Sequence, residues 1–337
     1  MRTLLVTGGA GFIGSNFVRM VLEEHADTTV VNLDILTYAG NLENLEGYMK
    51  HPRHVFVKGD ICDAALVERV IAEHRIDAIV NFAAESHVDR SLVEPGVFIE
   101  TNVKGTLALL KLALDKKLER FLQVSTDEVY GSLGDSGLFT ETTPLSPNSP
   151  YSASKASADM LVQAFGHSWG LRYNITRCSN NYGPYQFPEK MIPLMINNAL
   201  NDKELPVYGD GLYVRDWLYV YDHCTAIWKV LAEAAPGTVY NIGGNNEKAN
   251  LEVVGLILER LGKPQTLIRH VKDRPGHDRR YAIDSSKIMS ELHWSPSVCF
   301  EDGIRRTIDW YLSHNDWLSH VVSGQYQSYY DGMYANR

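Results

Sequence analysis

Largely apolar runs alternate with helical patterns along the first half of the chain. The runs are Thr3–Thr7, Thr29–Leu33, Val55–Val57, Ala78–Phe82 and Phe121–Val124. Runs of this kind are typical of strands that are buried on both faces. Because helical segments separate them, the pattern predicts a parallel sheet with helices packed on both sides.

The second half of the chain has apolar segments separated by glycine and proline. They are Val214–Val220, Val239–Ile242 and Leu251–Leu261. This pattern predicts a smaller, mixed α/β region that is interleaved with the first region rather than joined to it by a linker. We therefore expect a first domain over residues 1–176 and a second over residues 177–337, with some segments of the second returning to the first.

A glycine-rich turn follows the first apolar run. The sequence Gly8-Gly9-Ala10-Gly11-Phe12-Ile13-Gly14 precedes a helical pattern from Ser15 to Glu24. Glycines at this spacing allow a tight turn and a close approach of the backbone to a pyrophosphate at a helix N-terminus. The turn therefore predicts a Rossmann-like, doubly wound domain that binds a dinucleotide.

The second apolar run ends at an acidic residue that indicates which dinucleotide is bound. Asp34 lies twenty residues beyond Gly14, where a carboxylate accepts hydrogen bonds from an adenosine ribose. A carboxylate there also repels a 2′-phosphate, and residues 35–38 contain no arginine or lysine. We therefore expect NAD rather than NADP.

The ends of the predicted strands define one edge of the sheet. Asp34, Asp60, Ala83 and Ser125 lie at or just beyond four of these ends. Ligands of parallel sheets bind beyond the carboxyl ends of the strands, so we expect the active site at this edge. Asp60 is either an ordinary turn carboxylate or a contact to adenine.

Tyr151 and Lys155 are four residues apart on a predicted helix and therefore share one face of it. A neighbouring ammonium group lowers the pKa of a phenol, so Tyr151 is a candidate acid or base near neutral pH. An isolated pair of this kind is most often a packed tyrosine beside a solvated lysine. Together with the glycine-rich turn and the run Ser125-Thr126-Asp127-Glu128, the pair predicts an enzyme.

The acidic pair in that run carries a structural requirement. Successive residues of a strand point to opposite faces, so Asp127 and Glu128 can reach one substrate only if the strand ends by about Thr126. Aspartate is ionised at neutral pH, so Asp127 can donate a proton only if burial or the charge of Glu128 raises its pKa. The alternative is a solvated acidic turn.

Composition excludes several classes of protein. With 337 residues the chain can bury one large core or two unequal ones, and its formal net charge of −9 argues against a nucleic-acid surface. Four scattered cysteines predict buried free thiols rather than a zinc site or a disulfide framework, which suits the cytoplasm. We expect no signal peptide and no membrane span, because no apolar stretch is long enough.

The segment from Thr106 to Lys117 is apolar nearly all round a predicted helix. Such a helix needs two covered faces. One cover is the sheet, and the other is the helix that begins near Tyr151, either within a monomer or together with its copy in a dimer. By analogy with oligomeric relatives we expect a homodimer.

The chain resembles the extended short-chain dehydrogenase/reductases, and among them the NAD-dependent 4,6-dehydratases of nucleotide sugars. The resemblance covers nearly all of the chain and is carried by residues 7–14, Phe82–Ser91, Ser125–Gly131, Tyr151–Lys155, Arg177–Pro184, Tyr208–Gly211 and Asp273–Asp278. The Thr-Asp-Glu run is the narrowest signal. Related epimerases usually carry small or hydroxyl residues there, and decarboxylase or GDP-mannose dehydratase relatives usually keep only the glutamate.

The resemblance implies oxidation of a sugar at C4, elimination of water across C5 and C6, and return of the hydride to C6. Tyr151 takes the O4 proton, Lys155 holds the nicotinamide ribose and Thr126 orients O4. Glu128 removes the C5 proton, and Asp127 donates a proton to the departing C6 hydroxyl. The implied substrate is dTDP-glucose or a close nucleotide sugar, and no metal is expected.

The fingerprint and the resemblance together define the expected contacts. For NAD they are Gly8, Gly11, Phe12, Ile13, Gly14, Asp34, Thr37, Asp60, Ile61, Ala83, Ala84, Ser86, Thr101, Ser125, Tyr151, Lys155 and Asn180. For the substrate they are Ser86, His87, Thr126, Asn181, Lys190, Tyr208, Arg215, Asn250, Arg274 and His277. His87 is equally consistent with a structural hydrogen bond.

Two other functions are compatible with parts of this pattern. One is another NAD-dependent nucleotide-sugar dehydratase or 4-epimerase, against which the Asp127 and Glu128 pair argues. The other is a non-catalytic NAD-binding sensor, against which the intact Tyr151, Lys155 and Thr126 argue. The sequence does not distinguish dTDP from UDP, and it assigns no role to the tyrosines at 326, 329, 330 and 334.

Overall fold

The computed structural model describes residues 2–323, so the tyrosine-rich tail lies outside the described residues. The strands, in chain order, are β1 Thr3–Thr7, β2 Thr29–Asp34, β3 His54–Lys58, β4 Ala78–Asn81, β5 Arg120–Thr126, β6 Tyr173–Cys178, β7 Asn180–Tyr182, β8 Leu205–Tyr208, β9 Val214–Tyr219, β10 Thr238–Ile242, β11 Glu247–Ala249 and β12 Ile268–Val271.

The helices surround these strands. In chain order they are α1 Phe12–Glu24, α2 Ala64–His74, α3 Val88–Val93, α4 Pro95–Phe98, α5 Thr106–Asp115, α6 Pro150–Trp169, α7 Met191–Leu200, α8 Val220–Glu233, α9 Asn250–Leu261, α10 Ser286–Leu292, α11 Phe300–Ser313 and α12 Asn315–Val321. A π-helical segment, Ile99–Gly105, joins α4 to α5. Short 3₁₀ helices cover Leu42–Leu45, Asp127–Tyr130 and Gln265–Leu267.

The large sheet has seven strands within the described residues, in the order β10-β6-β5-β4-β1-β2-β3. All of its neighbouring strands are parallel. The carboxyl ends of β1, β2, β4 and β5 therefore lie at the same edge of the sheet. The α/β fold with a doubly wound parallel sheet is confirmed.

Alternate residues of the strands fill two separate apolar layers. Leu4 and Val6 of β1 pack on one side with residues of α1 and α8, whereas Leu5 packs on the other with residues of α2, α5 and α6. Because the strand side chains alternate between the two faces, each strand needs apolar residues at successive positions. This requirement accounts for the continuous apolar runs in the sequence.

The second half of the chain is divided between the two regions. Strand β10 pairs with β6 in the large sheet, and α8 packs against α1. The remaining strands form a three-stranded sheet, β11-β9-β7, and a two-stranded sheet, β12-β8. The predicted boundary at residue 176 lies inside β6, and the division into residues 1–176 and 177–337 stays a prediction.

Helix α5 is covered from more than one side within a single chain. It packs against α2 and α6 and against strands β4 and β5. The sheet and α6 are the two predicted covers, while α2 was not predicted. The homodimer stays a prediction, because these covers are all within one subunit.

Two further expectations concern the cysteines and the membrane. Cys178 and Cys224 are buried as predicted, and Cys62 is partly buried. The prediction is wrong for Cys299, which is exposed immediately before α11, whereas its neighbours Val298 and Phe300 are buried. Among the helices of residues 2–323, none has the length and apolar character that a membrane crossing requires.

A buried ion pair fixes α6 against the sheet. Arg177 Nε of β6 lies 2.9 Å from Asp159 Oδ2 of α6, and the two side chains are 2% and 0% exposed. Arg177 also donates to the Tyr130 hydroxyl at 2.9 Å, and that hydroxyl donates to Asn241 Oδ1 at 2.8 Å. The network joins α6, β6, β10 and the 3₁₀ helix after β5.

Removing one partner of this pair should destabilise the fold strongly. Arg177→Met leaves the Asp159 carboxylate buried without its ion-pair partner, which should lower the free energy of unfolding by about 3–5 kcal/mol. The double variant Arg177→Met with Asp159→Asn should lose less than the single variant, because it leaves no buried charge. Urea denaturation followed by circular dichroism measures both. A single variant that loses under about 1 kcal/mol would contradict the argument.

Candidate active site

The glycine-rich turn forms a cradle at the carboxyl edge of the sheet. Gly8 has φ +71°, a left-handed conformation that favours glycine, and a Cβ there would lie 2.7 Å from the Ala83 nitrogen. A Cβ on Gly14 would lie 2.2 Å from the Gly8 oxygen. The sequence pattern placed the helix start at Ser15, but α1 begins at Phe12. The first-turn residues Phe12, Ile13 and Gly14 line the cleft, and the amides of a first helical turn lack partners within the helix.

Asp34 ends β2 beside this cradle. Its carboxylate accepts hydrogen bonds from the Ala10 amide at 2.9 Å and the Leu36 amide at 2.8 Å. Burial raises the pKa of this carboxyl, and the two amides oppose the shift. The carboxylate, the glycine cradle and the amides of α1 form a chemically suitable set for a dinucleotide.

A single cleft of about 750 Å³ runs along the sheet edge. Every residue predicted to contact NAD lines it: Gly8, Gly11, Phe12, Ile13, Gly14, Asp34, Thr37, Asp60, Ile61, Ala83, Ala84, Ser86, Thr101, Ser125, Tyr151, Lys155 and Asn180. Thr126, Asp127 and Glu128 line the same cleft. The predicted cofactor and catalytic residues are therefore brought together.

The end of β5 meets the requirement for the acidic pair. The strand ends at Thr126, and the next four residues form a 3₁₀ helix. The Thr126 hydroxyl accepts a hydrogen bond from the Glu128 amide at 3.2 Å and donates one to Asp127 Oδ1 at 3.4 Å. Because the chain leaves the strand geometry at this point, Asp127 and Glu128 both line the cleft.

The two acids differ in their surroundings. Burial raises the pKa of Asp127 well above its ordinary value, and the negative charges of Glu128 and Asp216 raise it further. Its Oδ2 atom has no hydrogen-bond partner in the described part of the chain. Burial also raises the pKa of Glu128, but nearby cations oppose the shift: Arg274, Lys190 and Arg215. Asp127 therefore suits a proton donor and Glu128 a proton acceptor.

Helix α6 sets the positions of Tyr151 and Lys155. Ser149 caps the helix by accepting a hydrogen bond from the Ser152 amide, and the Ser152 hydroxyl oxygen accepts one from the Ser149 amide, which fixes the first turn. Lys155 Nζ donates to the Val124 carbonyl oxygen of β5 at 2.8 Å. Both predicted residues therefore reach the cleft from one helix face.

The predicted lowering of the Tyr151 pKa by Lys155 is wrong for this geometry. Burial and the negative charge of Glu128 raise the pKa of Tyr151 well above its ordinary value, and Thr126 only partly opposes them. The Lys155 ammonium donates to Val124, and burial lowers its own pKa. The desolvation of the phenolate therefore has a larger effect on the pKa of Tyr151 than the i, i+4 spacing from Lys155.

Four of the predicted substrate contacts line the cleft: Ser86, Thr126, Asn181 and Lys190. Lys190 Nζ donates to the Ser86 carbonyl oxygen at 2.6 Å. Asn181 is oriented by His223, whose Nδ1 lies 2.9 Å from Asn181 Oδ1. The side-chain nitrogen of Asn181, Nδ2, donates to the Ser179 carbonyl oxygen at 3.0 Å.

Six predicted substrate contacts do not line the cleft: His87, Tyr208, Arg215, Asn250, Arg274 and His277. Arg274 and Arg215 are nevertheless close enough to Glu128 for their charges to lower its pKa. Arg274 pairs with Asp89 at 3.1 Å, and its buried Nε has no partner among residues 2–323. Tyr208 donates to the same Asp89 carboxylate at 2.8 Å. We call Arg274, Arg215, Asp89 and Tyr208 the wall beyond Glu128, because the charges of the two arginines act on that carboxyl and Asp89 holds Arg274 and Tyr208.

Two other predicted substrate contacts have internal partners. Arg215 donates to the Asp278 carbonyl oxygen at 2.9 Å, and His277 stacks on Tyr213 with ring centroids 3.8 Å apart. Burial lowers the pKa of His277 to about 4, so its ring is neutral at physiological pH. Asn250 begins α9, and its buried Oδ1 has no partner within the described range.

His87 makes the structural hydrogen bond that was one of its two interpretations. Its Nε2 lies 3.3 Å from the Glu189 carbonyl oxygen. The side chain is buried, and burial lowers its pKa to about 4. A neutral His87 therefore supports the loop before α7.

Sequence reasoning missed two acids that act on the site. Asp89 holds both Arg274 and Tyr208, and Asp216 accepts hydrogen bonds from the Gly244 and Asn246 amides while raising the pKa of Asp127. Asp89 lies in the run Phe82–Ser91 that was singled out. Asp216 directly follows Arg215. Only their long-range contacts identify them.

A tyrosine and lysine beside a dinucleotide cradle are typical of the extended short-chain dehydrogenase/reductases, and the acid pair narrows this class to 4,6-dehydratases. A family model described as GDP-mannose 4,6 dehydratase matches residues 5–307. The dTDP-glucose 4,6-dehydratase of Xanthomonas campestris pv. campestris (strain B100) is 57% identical, over 97% of this chain and 98% of the relative.

Two solved structures are similar over the whole fold. The NAD complex of dTDP-glucose 4,6-dehydratase from Bacillus anthracis is 52% identical with a TM-score of 0.90, covering 95% of this chain and 100% of that one. The enzyme of the same name from Streptomyces venezuelae, with NAD and dTDP bound, is 52% identical with a TM-score of 0.92, covering 95% and 99%. The chain belongs to the 4,6-dehydratase family, among the dTDP-glucose 4,6-dehydratases.

Replacing Tyr151 with phenylalanine should block the oxidation step without unfolding the protein. The change removes the phenolic oxygen and little volume, so we expect the rate to fall by about 10²–10⁴. The check is NADH absorbance in single-turnover mixing, with circular dichroism for folding. Tyr221→Phe makes the same chemical change at an exposed residue and serves as the control. Wild-type turnover by a folded Tyr151→Phe variant would overturn the assignment.

Proposed function

We propose that this NAD-dependent enzyme converts dTDP-glucose to dTDP-4-keto-6-deoxy-glucose in the cleft at the sheet edge. The observation that carries the proposal is the placement of Asp127 and Glu128 in one cleft with Tyr151, beside the dinucleotide cradle. A chain that only oxidises or epimerises at C4 needs no such acid pair.

The order of the steps follows from the acidity of the sugar protons. The proton on C5 is too weakly acidic to be removed until C4 is a ketone, so oxidation comes first. Tyr151 takes the O4 proton, and Thr126 hydrogen-bonds to O4 and orients it. Because burial and Glu128 hold the pKa of Tyr151 high, the phenol needs a positive charge in the cleft to act as a base.

Elimination uses the acid pair. Glu128 removes the C5 proton, and Asp127 donates its proton to the departing C6 hydroxyl. Each positioned proton transfer contributes about 10²–10⁴ in rate. The unlike environments of the two carboxyls support this division, since cations oppose the pKa shift of Glu128 more than that of Asp127.

The cradle residues hold the cofactor throughout. Bound NAD supplies a positively charged acceptor for the C4 hydride and the donor that returns it to C6. The Gly8–Gly14 turn and Asp34 bind its pyrophosphate and adenosine ribose, and Lys155 holds the nicotinamide ribose. Relatives that contain NAD in their solved structures support this use of the cleft.

The wall beyond Glu128 binds the nucleotide diphosphate. Arg274 has a buried Nε without a partner among the described residues, which supports a phosphate contact. Arg215, Lys190 and Asn181 complete the set of donors, while Tyr208 flanks the base. The names of the relatives support dTDP as the nucleotide, although UDP differs from it by only a methyl and a 2′-hydroxyl group.

We also propose a cytoplasmic homodimer built through α5 and α6. Helix α6 leaves Met160 exposed at 53%, and the exposed Ala164 lies on the same helix face one turn later. Contiguous exposed apolar surface is typical of an association surface.

We propose in addition that residues 1–176 form the NAD-binding domain. Residues 177–337 then bind mainly the nucleotide sugar, and some of their segments return to the first domain.

Variants of the acid pair test the function by separating oxidation from elimination. Glu128→Gln removes the base and Asp127→Asn the proton donor, and neither change alters the nicotinamide contacts. Single-turnover mixing with dTDP-glucose should show NADH absorbance in both variants, while water loss measured by mass falls by about 10²–10⁴. In deuterated solvent, C5 exchange should occur in the Asn variant but not in the Gln variant.

The unmodified protein is the control for this experiment. The unmodified protein should eliminate water from dTDP-glucose without added NAD, because the hydride is returned within each turnover. If both variants eliminate water at the unmodified rate, the acids are structural and the mechanism is wrong. If the unmodified protein releases no water from dTDP-glucose, the proposed function itself is wrong.

A further inference from the structure

Two loops and the segment that leads from β4 into α3 contact one another around the cleft through charged and aromatic side chains. They are the loop after β2 with Tyr38, the segment after β4 with Glu85 and Arg90, and the loop before α7 with Phe187 and Glu189. Thr37, Ala39, Gly40, Glu85, Ser86, Phe187 and Glu189 all line the cleft. The loop contacts therefore border the space assigned to the cofactor.

Arg90 is the centre of these contacts. Its guanidinium carbon lies 3.8 Å from the centre of the Tyr38 ring, and its Nε lies 2.9 Å from Glu189 Oε2. The Glu189 side chain is only 3% exposed, so this ion pair is poorly screened by solvent. Arg90 thus connects the loop after β2 with the loop before α7.

Other contacts reinforce the same connection. The Tyr38 and Phe187 rings meet edge to face, with centroids 5.8 Å apart, and the Tyr38 hydroxyl donates to Glu85 at 3.5 Å. Lys190 Nζ donates to the Ser86 carbonyl oxygen at 2.6 Å. We call the group formed by Tyr38, Arg90, Phe187 and Glu189 the interloop bridge.

The chemistry gives this bridge a purpose. In the proposed cycle, the hydride taken from C4 must return to C6 of the same sugar, so the reduced cofactor must not leave between the two steps. The glycine turn and Asp34 line one part of the cleft, and residues of the loops after β2 and before α7 line another. The bridge joins the loop after β2 to the loop before α7, and residues of both loops line the cleft.

We propose that the interloop bridge retains the dinucleotide, and that it must open for NAD to exchange but stays closed during turnover. This inference rests on the proposed function, since only a borrowed hydride requires such retention. It assigns Tyr38, Arg90 and Glu189 as positioning residues of the cofactor site. Their loss should accelerate cofactor release rather than remove a chemical step.

Exchange of bound NAD for isotope-labelled NAD, measured without any sugar, tests the bridge. Tyr38→Leu removes the ring beneath the guanidinium, and Glu189→Gln removes the charge that Arg90 pairs with while keeping the shape. Each should release NAD about tenfold faster than the unmodified protein. Tyr38→Phe keeps the ring beneath the guanidinium and loses only the hydroxyl with its contacts to Glu85 and Glu189, so it should exchange more slowly than Tyr38→Leu.

Asp309→Asn is the matched control, because it breaks the exposed pair with Arg260, whose side chains are 48% and 42% exposed. Its exchange rate should stay within about twofold of the unmodified protein. If Tyr38→Leu and Glu189→Gln, both folded by circular dichroism, release NAD at the unmodified rate, the bridge does not retain the cofactor. Dehydration of dTDP-glucose by the unmodified protein is a separate measurement, so failure of the function and failure of the bridge are distinguishable.

Discussion

The placement of two adjacent carboxyl groups, Asp127 buried and Glu128 partly buried, at the end of one strand is the constraint on which the site depends. Strand β5 ends at Thr126, and the 3₁₀ helix that follows turns Asp127 and Glu128 into the same cleft. An extended strand would have pointed them to opposite faces. Desolvation raises the pKa of each carboxyl group. The cations near Glu128 oppose this shift, so the two groups differ in how far their pKa is raised. One local break in the backbone thus produces an acid and a base.

The parallel sheet supplies the rest of the site by bringing strand ends together. Successive strands deliver the glycine cradle, Asp34 and the acid pair to one edge. Helix α6 adds Tyr151 and Lys155 across that edge. The second region returns β10 to the large sheet, so the wall that carries Arg215 and Arg274 is built on the same framework as the cofactor site. This interleaving fixes the position of the Arg215 and Arg274 side chains relative to the cofactor site.

Features set by short stretches of chain could be predicted from the sequence. The glycine turn, the end of β5 and the helical spacing of Tyr151 and Lys155 each depend on a few neighbouring residues. The direction of the Lys155 ammonium and the raised pKa of Tyr151 depend instead on Val124 and on desolvation in the folded chain. Asp89 escaped prediction because its partner Arg274 is distant in sequence. Nor does any local pattern mark the Arg90 contact with Glu189.

The central claim is that Asp127 is a neutral acid at physiological pH while it shares the cleft with Glu128. Difference infrared spectroscopy of the unmodified protein against Asp127→Asn tests this most directly, because a protonated carboxyl has a C=O stretch distinct from that of a carboxylate. The proton-donor role requires Asp127 to be protonated at neutral pH, and burial together with the charge of Glu128 shifts its pKa in that direction. The account predicts a carboxylic-acid band at neutral pH that is absent from the Asn variant. A spectrum at neutral pH in which the substitution removes only a carboxylate band would contradict it.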